Sequence, residues 1–117
     1  MIVGPIAVYL ALGPADLRGA FDQLAAVTRK VLSLDPTSGA LFLFVNRRRN
    51  RLKALWWDRN GYTLLYKRLA KGTFPLPAVE PAEGACLEIS SEDFARLLAG
   101  LPIDESTTST TRRCLVH

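Results

Sequence analysis

The stretch Gly39-Ala-Leu-Phe-Leu-Phe-Val-Asn-Arg-Arg-Arg-Asn-Arg-Leu-Lys-Ala-Leu-Trp-Trp-Asp-Arg-Asn-Gly-Tyr-Thr-Leu-Leu-Tyr-Lys-Arg-Leu-Ala-Lys-Gly-Thr-Phe-Pro75 decides the fold. Three apolar, aromatic-rich runs are separated by two polar breaks, residues 46–50 and 58–61. The second break ends in Asn60-Gly61, the pair best suited to the positive φ angles of a tight hairpin turn. The reading is a three-stranded antiparallel meander whose first loop is rich in arginine. Alternation places Leu52, Ala54 and Trp56 on one face of the second strand, and Arg51, Lys53, Leu55 and Trp57 on the other. One face is expected to pack on a helix while the other stays partly open.

Charge is concentrated in the same stretch. From Arg47 to Lys71 the chain carries nine basic residues and one acid, Asp58, a formal +8 in a 117-residue chain of net charge +4. The remainder is therefore mildly acidic, at −4. A clustered cationic patch of this kind is the footprint expected for a polyanion partner, nucleic acid first. The candidate nucleic-acid-binding residues are Arg47, Arg48, Arg49, Arg51, Lys53, Lys67, Arg68 and Lys71. Arginine forks suit phosphate oxygens, and a two-stranded ribbon fits a DNA groove. The competing account is a solvated loop whose charge blunts a sheet edge. Trp56, Trp57, Tyr62 and Tyr66 could stack on unpaired bases, but alternation turns at least half of them inward, so core packing is the better account.

Outward from the meander, Ile6 to Leu12 reads as a short apolar strand. Leu17, Ala20, Phe21, Leu24, Val27, Thr28, Val31 and Leu32 recur at helical spacing, which predicts a long helix over 16–34. Asp16 would cap it and Asp35-Pro36 would stop it. Cys86 to Ile89 reads as a strand. Ser90 and Ser91 followed by Glu92 and Asp93 open a second helix over 91–100, with Phe94, Leu97, Leu98 and Leu101 as its buried stripe. From Asp104 the chain is polar and is expected to be a disordered tail.

Several function classes find no support. The single histidine is His117, a poor place to hold a general base in geometry. Asp16, Asp22, Asp35, Glu92, Asp93 and Asp58 are explained by caps, turns and a solvated helix face. A metal-dependent nuclease built on Asp58 or on Asp16 and Asp22 therefore lacks the carboxylate cluster that two metal ions need. Gly39, Gly61 and Gly72 are isolated turn glycines, not a phosphate loop. The spacing of Cys86 and Cys114 fits neither a metal site nor a disulfide framework, so both are expected as reduced thiols. No apolar run approaches the length of a membrane span, and no secretory pattern opens the chain, which points to the cytoplasm. The expectation is a non-enzyme without metal or cofactor.

A family pattern lies across these residues. Asp16-Leu-Arg-Gly-Ala-Phe-Asp22 is followed by Asp35-Pro-Thr-Ser-Gly-Ala-Leu-Phe-Leu-Phe44. Asn46-Arg-Arg-Arg-Asn-Arg-Leu-Lys53 comes next, then Trp57-Asp58, Gly61, Lys67-Arg68-Leu69, Gly72 and Phe74. In that order, from about residue 5 to residue 102, the chain resembles the small accessory protein encoded by the second open reading frame of insertion-sequence-66 elements. It departs from the pattern at Gly19-Ala20, at Ala70 and over 73–77. The resemblance implies a factor needed for efficient transposition beside a larger transposase that carries out the strand-transfer chemistry.

The expected architecture is a single α+β domain over 1–103, with 104–117 as tail. An antiparallel meander at about 40–70 would carry the long N-terminal and short C-terminal helices. The expected function is that of a non-catalytic accessory factor in transposition, contacting DNA at the transposon ends, the transposase of the same element, or both. The alternative is an adaptor that docks the transposase without touching DNA. The open sheet face is expected to permit self-association into a homo-oligomer, and no membrane partner is expected.

Overall fold

The computed structural model describes residues 6–13, 17, 19–76, 86–103 and 112–114. Its elements run β1 (Val8–Ala11), α1 (Phe21–Lys30), β2 (Leu41–Val45), β3 (Arg51–Asp58), β4 (Gly61–Arg68), β5 (Cys86–Ile89), α2 (Ser91–Leu98) and β6 (Arg112–Cys114). The strands form one mixed sheet in the order β4-β3-β2-β1-β5-β6. β2, β3 and β4 are antiparallel neighbours, joined by the two polar breaks. β1 lies parallel to β2, with Val8 opposite Leu41, and α1 is part of the crossover that parallel pairing requires. β5 runs antiparallel to the other side of β1.

This overturns the expected fold in two respects. The meander is one half of a larger mixed sheet, and the N-terminal helix is short. α1 covers ten residues, not the span 16–34. Lys53 supplies the reason at its start. Its Nζ donates to the carbonyls of Leu17 at 2.6 Å and Gly19 at 2.8 Å, oxygens that a helix begun at Asp16 would have aimed at its own later N–H groups. Asp16 itself lies outside the described residues, and Ala20 precedes the helix without a side-chain cap. At the other end Ser33 takes a left-handed φ of 56°, and Leu34 N–H closes back on the Thr28 carbonyl. The helix therefore ends well before Pro36. Thr28, buried in the helix, donates its hydroxyl to the Leu24 carbonyl.

Each face of the sheet carries a buried cluster, while β4 at its edge stays only partly buried. α1 lies over Phe42, Phe44 and Leu55 through Leu24 and Ala25, and Leu32 joins the same cluster from just beyond the helix. The opposite cluster joins Val8, Leu10, Leu41, Leu43, Val45 and Leu52 to Leu97 of α2, and to Phe74 and Ile103. Two-sided burial explains why 41–45 is apolar without interruption. α2 begins as the sequence suggests, with the Ser90 hydroxyl accepting from Asp93 N–H at 3.0 Å.

The predicted reduced thiols are also corrected: Cys86 is buried and disulfide-bonded. Cys114, the other cysteine of the chain, sits directly opposite it in the β5–β6 register. Of the expected tail, 112–114 form β6, while 104–111 and 115–117 lie outside the described residues.

Candidate nucleic-acid interface

The arginine loop between β2 and β3 is built from its asparagines. Asn46 N–H donates to the Arg51 carbonyl and closes the hairpin, while the Asn46 carbonyl accepts from Arg49 N–H to make a turn. The Asn46 side-chain oxygen accepts from the backbone N–H groups of Asn50 and Arg51, each at 3.0 Å. Its amide nitrogen donates to the Asn50 side chain at 2.8 Å. Arg49 takes a left-handed φ of 59° within this frame.

A second set of bonds joins the loop to the segment beyond β4. Leu69 N–H donates to the Asn50 carbonyl, and Phe74 N–H to the Arg49 carbonyl. Phe74 is buried in the α2-side core and anchors that segment. Lys71, between these two attachment points, is thus held at the same end of the sheet as Arg47, Arg48 and Arg49. Arg51 and Arg68 complete the group as cross-strand register partners. Like charges directly opposite one another weaken a sheet, so the pair is not explained by stability of the β3–β4 ladder.

The eight sequence candidates separate by environment. Arg47, Arg48, Arg49, Arg51, Arg68 and Lys71 are exposed and lie together. Lys53 is only 8% exposed; besides its two carbonyl acceptors, its Nζ stands 5.0 Å from the centre of the Tyr66 ring. Lys67 donates to the Leu98 carbonyl, the last residue of α2, where a cation meets the negative end of the helix dipole. These two ammonium groups are thus engaged within the fold.

The aromatics divide as well. Trp56 packs on the α2-side cluster with its Nε1 buried and without a hydrogen-bond partner. Trp57 meets Tyr62 edge to face at 5.1 Å and donates to the Arg59 carbonyl. Tyr66 is 52% exposed. The β3–β4 turn differs by one residue from its reading: Arg59, not the Asn60-Gly61 pair, takes the positive φ, at 60°, and Gly61 opens β4.

Away from the cations, an open hollow of about 400 Å³ lies beside the stacked rings of Tyr9 and Phe42, with Asp35 and Ser38 on its wall. Those polar groups are already used. The Asp35 carboxylate accepts from Thr37 N–H and Oγ1, and the Ser38 hydroxyl accepts from Ala40 N–H. The Thr37 backbone N–H, then its hydroxyl, with a smaller contribution from Arg29, hold the Asp35 carboxyl below its ordinary 3.8. Among the described residues no group of three or more His, Cys, Asp or Glu could hold a metal ion, and no helix is long and apolar enough to cross a membrane.

Comparison with known proteins bears on this geometry. Residues 6–108 match the family model described as IS66 Orf2 like protein. The chain is 38% identical over 96 residues to the protein y4hO of Sinorhizobium fredii (strain NBRC 101917 / NGR234), covering 82% of this chain and 81% of that protein. It is 34% identical over 103 residues to y4jC of the same strain, covering 86% of each. No solved structure matches the chain. The arginine loop, β3 and β4 all lie inside the matched region, and the chain belongs to the IS66 Orf2-like family, accessory proteins associated with the transposition of an insertion sequence.

Proposed function

We propose that the protein acts in transposition by binding DNA of its element through the arginine loop and the adjoining end of β3 and β4. What carries the reading is the convergence of Arg47, Arg48, Arg49, Arg51, Arg68 and Lys71 at one end of the sheet, on a loop whose backbone is already fixed. Guanidinium groups presented this way meet phosphate oxygens as forks, and little loop ordering has to accompany contact. No base-reading geometry is needed: phosphate contacts supply affinity and orientation. Strand transfer belongs, on this reading, to the larger transposase.

The test is binding of the purified protein to a labelled duplex carrying the element's terminal repeat, across a salt series. If all six cations meet phosphates, the logarithm of affinity falls against the logarithm of salt with a slope of roughly −5. The quadruple variant Arg47→Ala, Arg48→Ala, Arg51→Ala, Arg68→Ala keeps Asn46 and Asn50, so it should keep its fold while losing binding. Wild type that ignores DNA but binds purified transposase in a salt-sensitive way would replace this reading with that of an adaptor.

A further inference from the structure

Among the described strands β4 stands at one edge of the sheet and is only partly buried. β4 ends the sheet at eight residues, and its register against β3 is unbroken from Asp58–Gly61 to Arg51–Arg68. Leu69 N–H donates to the Asn50 carbonyl, so antiparallel alternation turns the N–H and C=O groups of Tyr62, Leu64, Tyr66 and Arg68 away from β3. Several of the usual protections of such an edge are missing from β4, and its one exposed charge, Arg68, stands at its end. The strand contains no proline, its pairing shows no bulge, and its one lysine is drawn to the end of α2.

We propose that this edge pairs with the same edge of a second copy, antiparallel about a two-fold axis at Leu65, making one continuous sheet across a dimer. The sequence of β4 is self-complementary in that register. Arg68 comes opposite the partner's Tyr62, a cation beside an aromatic ring. Leu64 comes opposite the partner's Tyr66, covering a ring otherwise 52% exposed. Leu65 meets the partner's Leu65, and Lys67 the partner's Thr63. No two like charges oppose one another, whereas a parallel arrangement would set Arg68 beside Arg68. The axis also sends the two arginine loops outward to opposite ends, roughly 30–40 Å apart at strand rise. That is close to the one-turn spacing of roughly 34–36 Å at which two-fold DNA-binding proteins meet their half-sites. The pairing itself rests on the edge and does not depend on DNA binding.

The test uses the full chain. Sedimentation should give twice the 12.9 kDa chain mass. Tyr66→Pro removes an outward N–H without breaking the β3 ladder and should give a monomer with an unchanged circular dichroism spectrum. Independently, Leu65→Cys should form a disulfide-linked dimer under mild oxidation, and Thr63→Cys, whose symmetry mate lies opposite Lys67, should not. A wild-type monomer at every concentration overturns the proposal. So does a dimer in which Leu65→Cys fails to cross-link, even if Tyr66→Pro proves unfolded. A monomer whose β4 amides gain hydrogen-exchange protection only on adding transposase also overturns it, and assigns the edge to that protein.

Discussion

Replacing Lys53 with methionine keeps most of the side chain's length and apolar bulk while deleting its charge. The ammonium is held by the Leu17 and Gly19 carbonyls and lies against the Tyr66 ring. Removing it leaves the buried Leu17 oxygen without that donor, a loss of about 1–3 kcal/mol. The Gly19 oxygen is part-buried and regains some water, and the ring contact contributes about 0.5–1 kcal/mol. Relief from burying an ammonium opposes these losses. A net destabilisation of about 2 kcal/mol is expected, a fall in Tm of roughly 6–12 °C for a chain of this size. Urea and thermal unfolding measure it, with DNA binding assayed below the variant's transition. Binding should survive, because the exposed cations are untouched. A variant as stable as wild type, or one fully folded yet unable to bind, would show that Lys53 serves the ligand and not the fold.

Two further substitutions probe local backbone and charge. Arg59→Gly relieves a left-handed residue at the β3–β4 turn and should raise stability by about 0.5–1 kcal/mol. Since Arg59 stands at the far end of the hairpin from the arginine loop, DNA affinity should change far less than in Arg51→Ala; equal losses would contradict the placement of the interface. Asp35 titrates below its ordinary 3.8 in the folded chain, so its contribution is present above that value and lost as pH falls through the lower folded one. Asp35→Asn should therefore be less stable than wild type at neutral pH, with the gap narrowing below pH 3.8 in acid unfolding; a pH-independent gap would remove the carboxylate from the account.

The meander was legible because polar breaks and two-residue alternation mark strand ends and faces independently of the rest of the chain. The position of β1 was not. Val8–Ala11 is a short apolar run, and such a run says nothing about which strand it joins or in which direction. The repeat of apolar residues over 17–32 has the spacing of one helix, yet Leu17 and Leu32 are buried from outside α1. Periodicity reports a shared buried side; it does not report where carbonyls point, and Lys53 redirects two of them. Charge count likewise found the cationic surface but could not separate its members. Lys53 and Lys67 carry the same formal charge as Arg51 and Arg68, and only the packing of 17–19 and the end of α2 distinguishes them.

The hydrogen bonds that shape the arginine loop come from Asn46, Asn50, Leu69 and Phe74, and they engage backbone atoms and asparagine amides alone. The shape of the loop and the charge it presents are thereby encoded in different codons. Arg47 and Arg48 can be exchanged one at a time without disturbing the chassis that presents them. On the proposed reading, single substitutions at those positions would change the strength of the grip on phosphates, each made on a loop that stays the same shape.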